Sequence, residues 1–130
     1  RIVVDGAHNP AGAAALKESL DASFSREKRV LLLGILEDKD YRAMLRTLVR
    51  ADDRVVITPP DSARAGDPEN LARVAREITQ EVEVVPAADA ALSRALDRAA
   101  GQRILCAAGS LYLIGNLRRL LLERGAHHDG

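Results

Sequence analysis

Four polar clusters interrupt an otherwise apolar chain: Asp5-Gly-Ala-His8-Asn9-Pro10, Glu37-Asp38-Lys39-Asp40, Asp61-Ser62-Ala-Arg64 and Gly109-Ser110. Each follows a run of apolar residues. His8 carries an imidazole whose ring nitrogens can reach a ligand from the junction of a strand and a helix, or can tie down its own loop. Arg64 offers a planar guanidinium that is either a surface charge or a ligand for an anion. Asp5 suits a turn brace, Asn9 and Ser110 suit helix caps, and Asp38-Lys39-Asp40 suits a solvated loop ending in a capping aspartate. No His, Cys or carboxylate set has metal-ligand spacing, so no metal site is expected within the chain.

The elements that must position these residues are five β-then-α units. Apolar, β-branched runs at Ile2–Val4, Val30–Leu36, Val55–Ile57, Val82–Val85 and Ile104–Ala107 are nearly continuous, as in strands buried on both faces. Between them the period becomes helical: Tyr41, Met44, Leu45, Leu48 and Val49 form one stripe, and Leu71, Val74, Ala75 and Ile78 another. Leu92, Ala95, Leu96 and Ala99 form a third, and Leu113, Ile114, Leu117, Leu120 and Leu121 a fourth. Asn9-Pro10 and Asp67-Pro68 each place a cap before a proline at the first helical position, while Asp40 and Ser110 can cap the second and fifth helices. This order predicts an α/β fold, a Rossmann-like doubly wound sheet of five mainly parallel strands with helices on both faces. Its ligands would collect beyond the carboxyl ends of the strands, where all four clusters lie. Gly6 permits a sharp turn that lets Asp5 and His8 face one cavity. The irregular stretch from Thr58 to Gly66 leaves a strand at the same rim, as a binding loop would.

At 130 residues, 47% of them hydrophobic, the chain is sized for one domain. We expect residues 1–124 to form it and 125–130, with His127 and His128, to be a flexible tail. Basic and acidic residues balance at 19 each, which argues against nucleic acid or an anionic membrane as partner. No run is long enough to span a bilayer. Cys106 stands in an apolar run and reads as a buried thiol in a reducing compartment, so a cytoplasmic location is expected. The opening directly on a strand-like run suggests a piece of a longer chain. Neither G-x-G-x-x-G nor G-x-x-x-x-G-K-[ST] nor G-x-S-x-G is present. A phospho-receiver would need an acidic acceptor after the third strand, where Thr58-Pro59-Pro60 stands.

Taken together, Asp5-Gly-Ala-His-Asn-Pro10, Gly34-Ile-Leu-Glu-Asp-Lys-Asp40, Ser62-Ala-Arg-Ala65 and Ala108-Gly-Ser-Leu-Tyr-Leu-Ile-Gly115 closely resemble the carboxy-terminal domain of the folylpolyglutamate synthase/dihydrofolate synthase family, within the Mur ligase superfamily. The resemblance runs from Ile2 to about Leu121. The first motif is similar to one in cell-wall Mur ligases too; the Asp-Lys-Asp and Gly-Ser-Leu-Tyr motifs narrow it to the folate branch. Glu37 precedes Asp38 at a position that varies in the family. A sixth, antiparallel strand is also implied, which the apolar runs do not locate.

The resemblance implies an ATP-dependent ligase that joins a folate or dihydropteroate carboxylate to the amino group of glutamate through an acyl phosphate. ATP and Mg2+ would be held mainly by an amino-terminal ATPase domain of the same polypeptide. Carried onto this sequence, Asp5 and His8 would be the catalytic-cleft residues. Asp5 would accept from a ribose hydroxyl or the substrate ammonium. His8 and Lys39 would also serve the nucleotide, and Ser110 and Arg64 would hold glutamate or another anionic group. Two alternatives stay open: the equivalent domain of a peptidoglycan Mur ligase, and a noncatalytic nucleotide or amino-acid binding module.

Overall fold

The computed structural model describes residues 2–101 and 103–129, with side chains to Arg124 in the last helix. Ten elements alternate along the chain: β1 (Ile2–Val4), α1 (Pro10–Phe24), β2 (Arg29–Leu33), α2 (Tyr41–Leu48), β3 (Arg54–Ile57), α3 (Pro68–Arg76), β4 (Glu81–Val84), α4 (Ala88–Ala99), β5 (Ile104–Ala108) and α5 (Leu111–Asp129). The side chains of 125–129 and residue Gly130, expected as a tail, lie outside the described residues. The strands form one sheet in the order β1-β5-β2-β3-β4, every pair parallel. The sixth, antiparallel strand is not found among the described residues.

Successive strand residues point to opposite faces, and the core divides accordingly. Leu31, Leu33, Val55, Ile57, Cys106 and Ala108 pack under α1, α2 and α3 through Leu16, Met44, Leu45 and Leu71. Val30, Leu32, Val56, Leu105 and Ala107 pack under α4 and α5 through Leu92, Leu113 and Leu117. The central strands β2, β3 and β5 are therefore buried on both faces, as their continuous apolar runs predict. The edge strands differ. Ile2 is exposed on β1, and β4 alternates Glu with Val, Glu83 being held by Arg94 and Arg98 of α4. The apolar run expected as strand to Leu36 stops being one at Leu33. A Cβ on Gly34 would stand 2.6 Å from the Thr58 carbonyl, and the chain turns away there, although Ile35 and Leu36 remain buried.

The expected caps are all present. Asn9 Oδ1 accepts from Gly12 N at 2.7 Å, Asp40 Oδ1 from Ala43 N at 3.2 Å, Asp67 Oδ1 from Glu69 N at 2.9 Å and Ser110 Oγ from Tyr112 N at 3.1 Å. Each satisfies an amide that the first helical turn leaves without a partner.

At the amino-terminal ends of the strands, buried Arg29 donates to Asp53 through Nε at 3.0 Å and Nη2 at 2.6 Å, and to the Leu48 carbonyl at 2.6 Å. The Arg50 amide donates to Asp53 Oδ2 at 2.8 Å. With its lone pairs so engaged, this pair fastens β2 to the turn before β3.

Candidate functional site

β5 is flanked by two strands, β1 and β2, whose following helices cover one face, while α5 after β5 covers the other. Adjacent connections that part in this way open a crevice at the carboxyl ends of the strands. Two backbone bonds define its floor: Gly109 N donates to Ala7 O at 2.8 Å, and Gly34 N to Ala108 O at 3.2 Å. Gly109 has φ +117°, and a Cβ there would lie 2.8 Å from the Gly34 carbonyl, so this crossing of loops requires glycine.

A cavity of about 160 Å3 occupies the crevice, lined by His8, Leu36, Lys39, Arg64 and the segment 109–112. Four of the five sequence-predicted site residues, His8, Lys39, Arg64 and Ser110, thus share one wall system. The fifth, Asp5, lines an adjoining cavity of about 290 Å3 with Gly6, His8, Asn9, Gly12 and Ser19. His8 stands between the two. Asp5 and His8 thus do face one cavity, although Gly6 does not take a left-handed conformation to bring them there. The positive-φ glycines among the described residues are Gly66, Gly101 and Gly109, and a Cβ on Gly6 would instead come within 3.0 Å of Leu111 Cδ2. Its use is close approach of the loop to α5.

The local chemistry of each residue is specific. Asp5 Oδ1 accepts from Ala7 N at 2.8 Å, the turn brace, leaving Oδ2 for a ligand. His8 Nδ1 lies 2.8 Å from the Gly6 carbonyl. A carbonyl only accepts, so Nδ1 carries the proton and Nε2 is left to accept, or to donate when the ring is charged. Ser110 is 1% exposed, and its Oγ accepts from Tyr112 N, leaving the hydroxyl proton to donate. Lys39 makes no side-chain hydrogen bond or ion pair among the described residues, whereas Arg64 donates to Asp38 Oδ2 through Nε at 2.8 Å and Nη2 at 2.6 Å. Beneath the site, burial pushes the Cys106 thiol up to about 12, Arg29 opposing and Asp5 adding to the shift. Such a thiol is inert.

Sequence reasoning assigned no role to Tyr112, Leu111 or Glu37. Leu111 and Tyr112 line the cavity while 62% and 52% exposed, and stand in the Gly-Ser-Leu-Tyr motif, which was the available signal. A larger cavity of about 510 Å3 opens at the opposite strand ends beside Asp53, Thr79 and Arg103. Its buried polar groups are already satisfied: Asp53 by Arg29 and Arg50, and Thr79 by donating to the Asp53 carbonyl at 2.7 Å. No group of three or more His, Cys, Asp or Glu among the described residues could hold a metal ion.

Residues 1–111 match the family described as Mur ligase, glutamate ligase domain. The chain is 37% identical over 121 residues to folylpolyglutamate synthase of Lacticaseibacillus casei, which covers 93% of this chain and 27% of that protein. It is 43% identical over 76 residues to dihydrofolate synthase/folylpolyglutamate synthase of Mycobacterium tuberculosis, covering 58% of this chain and 16% of that one. Folylpolyglutamate synthase of M. tuberculosis, solved in complexes with ADP and AMPPCP, superposes with a TM-score of 0.81 at 34% identity, over 92% of this chain and 29% of that structure. The Thermotoga maritima enzyme of the same name gives 0.80 at 34% identity, over 93% and 27%. The chain thus spans 16% to 27% of the length of these two curated relatives.

Proposed function

The chain belongs to the Mur ligase, glutamate ligase domain family, and from that premise we propose that it is the carboxy-terminal domain of an ATP-dependent folate–glutamate ligase. An amino-terminal ATPase domain of the same polypeptide completes the active site, in the cytoplasm. The observation that carries this reading is the cavity that gathers His8, Lys39, Arg64 and Ser110 at the switch in the sheet. The relatives' names supply the substrate class, and the M. tuberculosis enzyme solved with ADP supports a nucleotide as ligand.

ATP with Mg2+ supplies the phosphoryl group that converts a folate or dihydropteroate carboxylate to an acyl phosphate, from which the amino group of glutamate displaces phosphate to give the amide. The residues of this chain fit the anionic parts of that chemistry. The Ser110 hydroxyl and the amides at the start of α5 receive the glutamate carboxylate, where the helix end favours negative charge. Lys39, free of protein partners among the described residues, meets a phosphate or carboxylate when the domains close. Arg64 does the same with its remaining Nη1 donors. Asp5 Oδ2 accepts from a ribose hydroxyl or the glutamate ammonium, and His8 stands between the two cavities with Nε2 toward the reactants. With reactants held in line and charge neutralised, both steps are accelerated. We assign Mg2+ to the amino-terminal domain, since among the described residues Asp5 alone brings a carboxylate to the lining of these two cavities.

The test is incorporation of radiolabelled glutamate by the complete polypeptide with ATP and either dihydropteroate, a folate or a peptidoglycan precursor. Incorporation into the pterin substrates supports the reading. Incorporation into the peptidoglycan precursor alone would replace it with a cell-wall ligase, and none at all with a binding module.

A further inference from the structure

We infer that Glu37 is a positioning residue: it seats the loop after β3 so that Arg64 stands at the rim of the cavity, ready for an anionic group. The inference rests on the proposed function only for what that anion is. Arg64 belongs to the irregular segment 58–67, which by itself gives a long side chain no reason to face the crevice. Glu37 contacts the segment twice and the start of α3 once. Its amide donates to the Arg64 carbonyl at 3.2 Å, its Oε1 accepts from Asn70 Nδ2 of α3 at 2.7 Å, and its carboxyl end lies where a Cβ on Gly66 would be. Gly66 has φ +68°, so the loop turns in a conformation that glycine permits and passes directly against Glu37. Within the loop, Ser62 Oγ accepts from Arg64 N at 3.1 Å and Ser62 O from Ala65 N at 3.1 Å, making 62–65 a tight turn.

Asp38 then takes Nε and Nη2 of Arg64, but both partners are about half exposed, and an ion pair so exposed is too weak to set the loop. The division of labour is that Glu37 holds the loop, its amide on the Arg64 carbonyl and its side chain against Gly66 and Asn70, while Asp38 orients the guanidinium. Nη1 makes no hydrogen bond among the described residues, and Arg64 lines the cavity with Lys39 and Ser110. Neither acidic residue lines the cavity, so neither touches a ligand there, and the direct effect of losing either negative charge would favour an anion, opposite in sign to the loss of a seated Arg64.

The test uses the 130-residue chain with inorganic phosphate as probe, followed by nuclear magnetic resonance. We expect the Arg64 Nε–Hε signal to be resolved in the unaltered chain, lost in Glu37→Ala and restored in Glu37→Gln, whose side-chain oxygen still accepts from Asn70. Phosphate binding should weaken about tenfold in Arg64→Ala, the worth of one charge-assisted hydrogen bond, and nearly as much in Glu37→Ala. In the Arg64→Ala background, Glu37→Ala should cost nothing further. Persistence of the signal in Glu37→Ala, additive losses in the double variant, or phosphate binding indifferent to both substitutions would overturn the inference. These readouts need no ligase activity. Failure of the complete polypeptide to use glutamate would therefore refute the proposed function while leaving the seating of Arg64 standing.

Discussion

The amide of Gly109 donates to the carbonyl of Ala7 at 2.8 Å, and this one bond places the residue after Ala7, His8, beside the residue after Gly109, Ser110, although about a hundred positions separate them in sequence. The parallel pairing of Val4 with Ala107 brings the two loops to the same rim, and the Gly109–Ala7 bond locks their register there.

Gly109→Ala should therefore damage both fold and site. A left-handed φ costs a non-glycine residue about 1–3 kcal/mol, and the added Cβ would also press on Gly34 O and Ile35 Cγ1, each 2.8 Å away. Gly101 shares a positive φ, +97°, with nothing within 4 Å of its Cβ position. Urea unfolding should show Gly109→Ala losing clearly more stability than Gly101→Ala; equal losses would mean that the loop crossing is not tightly packed.

Ser110 combines a cap with a free hydroxyl proton, and two substitutions separate them. Ser110→Ala should cost about 1 kcal/mol of stability, whereas glycine, a tolerable cap, should cost a few tenths. Both should raise the KM for glutamate in the complete polypeptide and leave that for ATP nearly unchanged. A melting shift without a change in glutamate kinetics would reduce Ser110 to its capping bond.

The Cys106 thiol, raised by burial from 9.0 to about 12, gives stability a definite alkaline slope. The group is protonated in the folded chain while its unfolded counterpart ionises. Its contribution is thus complete below about pH 9 and lost progressively as pH rises toward 12. Urea midpoints measured from pH 8 to 11 should fall less steeply in Cys106→Ala than in the unaltered chain. Parallel slopes would contradict the burial of the thiol.

Removing one half of the Arg29–Asp53 pair should cost far more than any exposed ion pair. Asp53→Ala leaves a guanidinium buried without its carboxylate, for which about 3–5 kcal/mol is expected. Lys17 and Asp21, exposed on α1, offer the comparison, and Asp21→Ala should change the unfolding midpoint hardly at all.

The fold was legible in the sequence because strand and helix periods, prolines and caps all agree, and every marked cap is made. Strand order was not legible, since β1 and β2 are consecutive in the chain but separated by β5 in the sheet. The limit of the second strand was obscured because Ile35 and Leu36 are buried without being strand, and apolarity reports burial alone. For the site, the polar clusters identified the right loops. They could not show that Asp38 occupies Arg64, or that Glu37 meets the Arg64 carbonyl and Asn70, because those contacts join segments remote in sequence. Likewise the Arg29–Asp53 pair has no local pattern, its halves being 24 positions apart.

His8 bears most directly on the proposed ligase site, because it lines both cavities and its Nδ1 bond to Gly6 is confined to its own loop. The decisive measurement is kcat/KM for glutamate ligation by the complete polypeptide carrying His8→Ala, alongside the thermal melt of the 130-residue chain with the same substitution. Loss of one charge-assisted hydrogen bond, roughly 1.5–3 kcal/mol, should lower kcat/KM about tenfold or more, while the melt stays cooperative and close to that of the unaltered chain. Near-normal ligation combined with a lost or broadened melt would contradict this, and would make His8 a brace of its turn rather than part of the cleft.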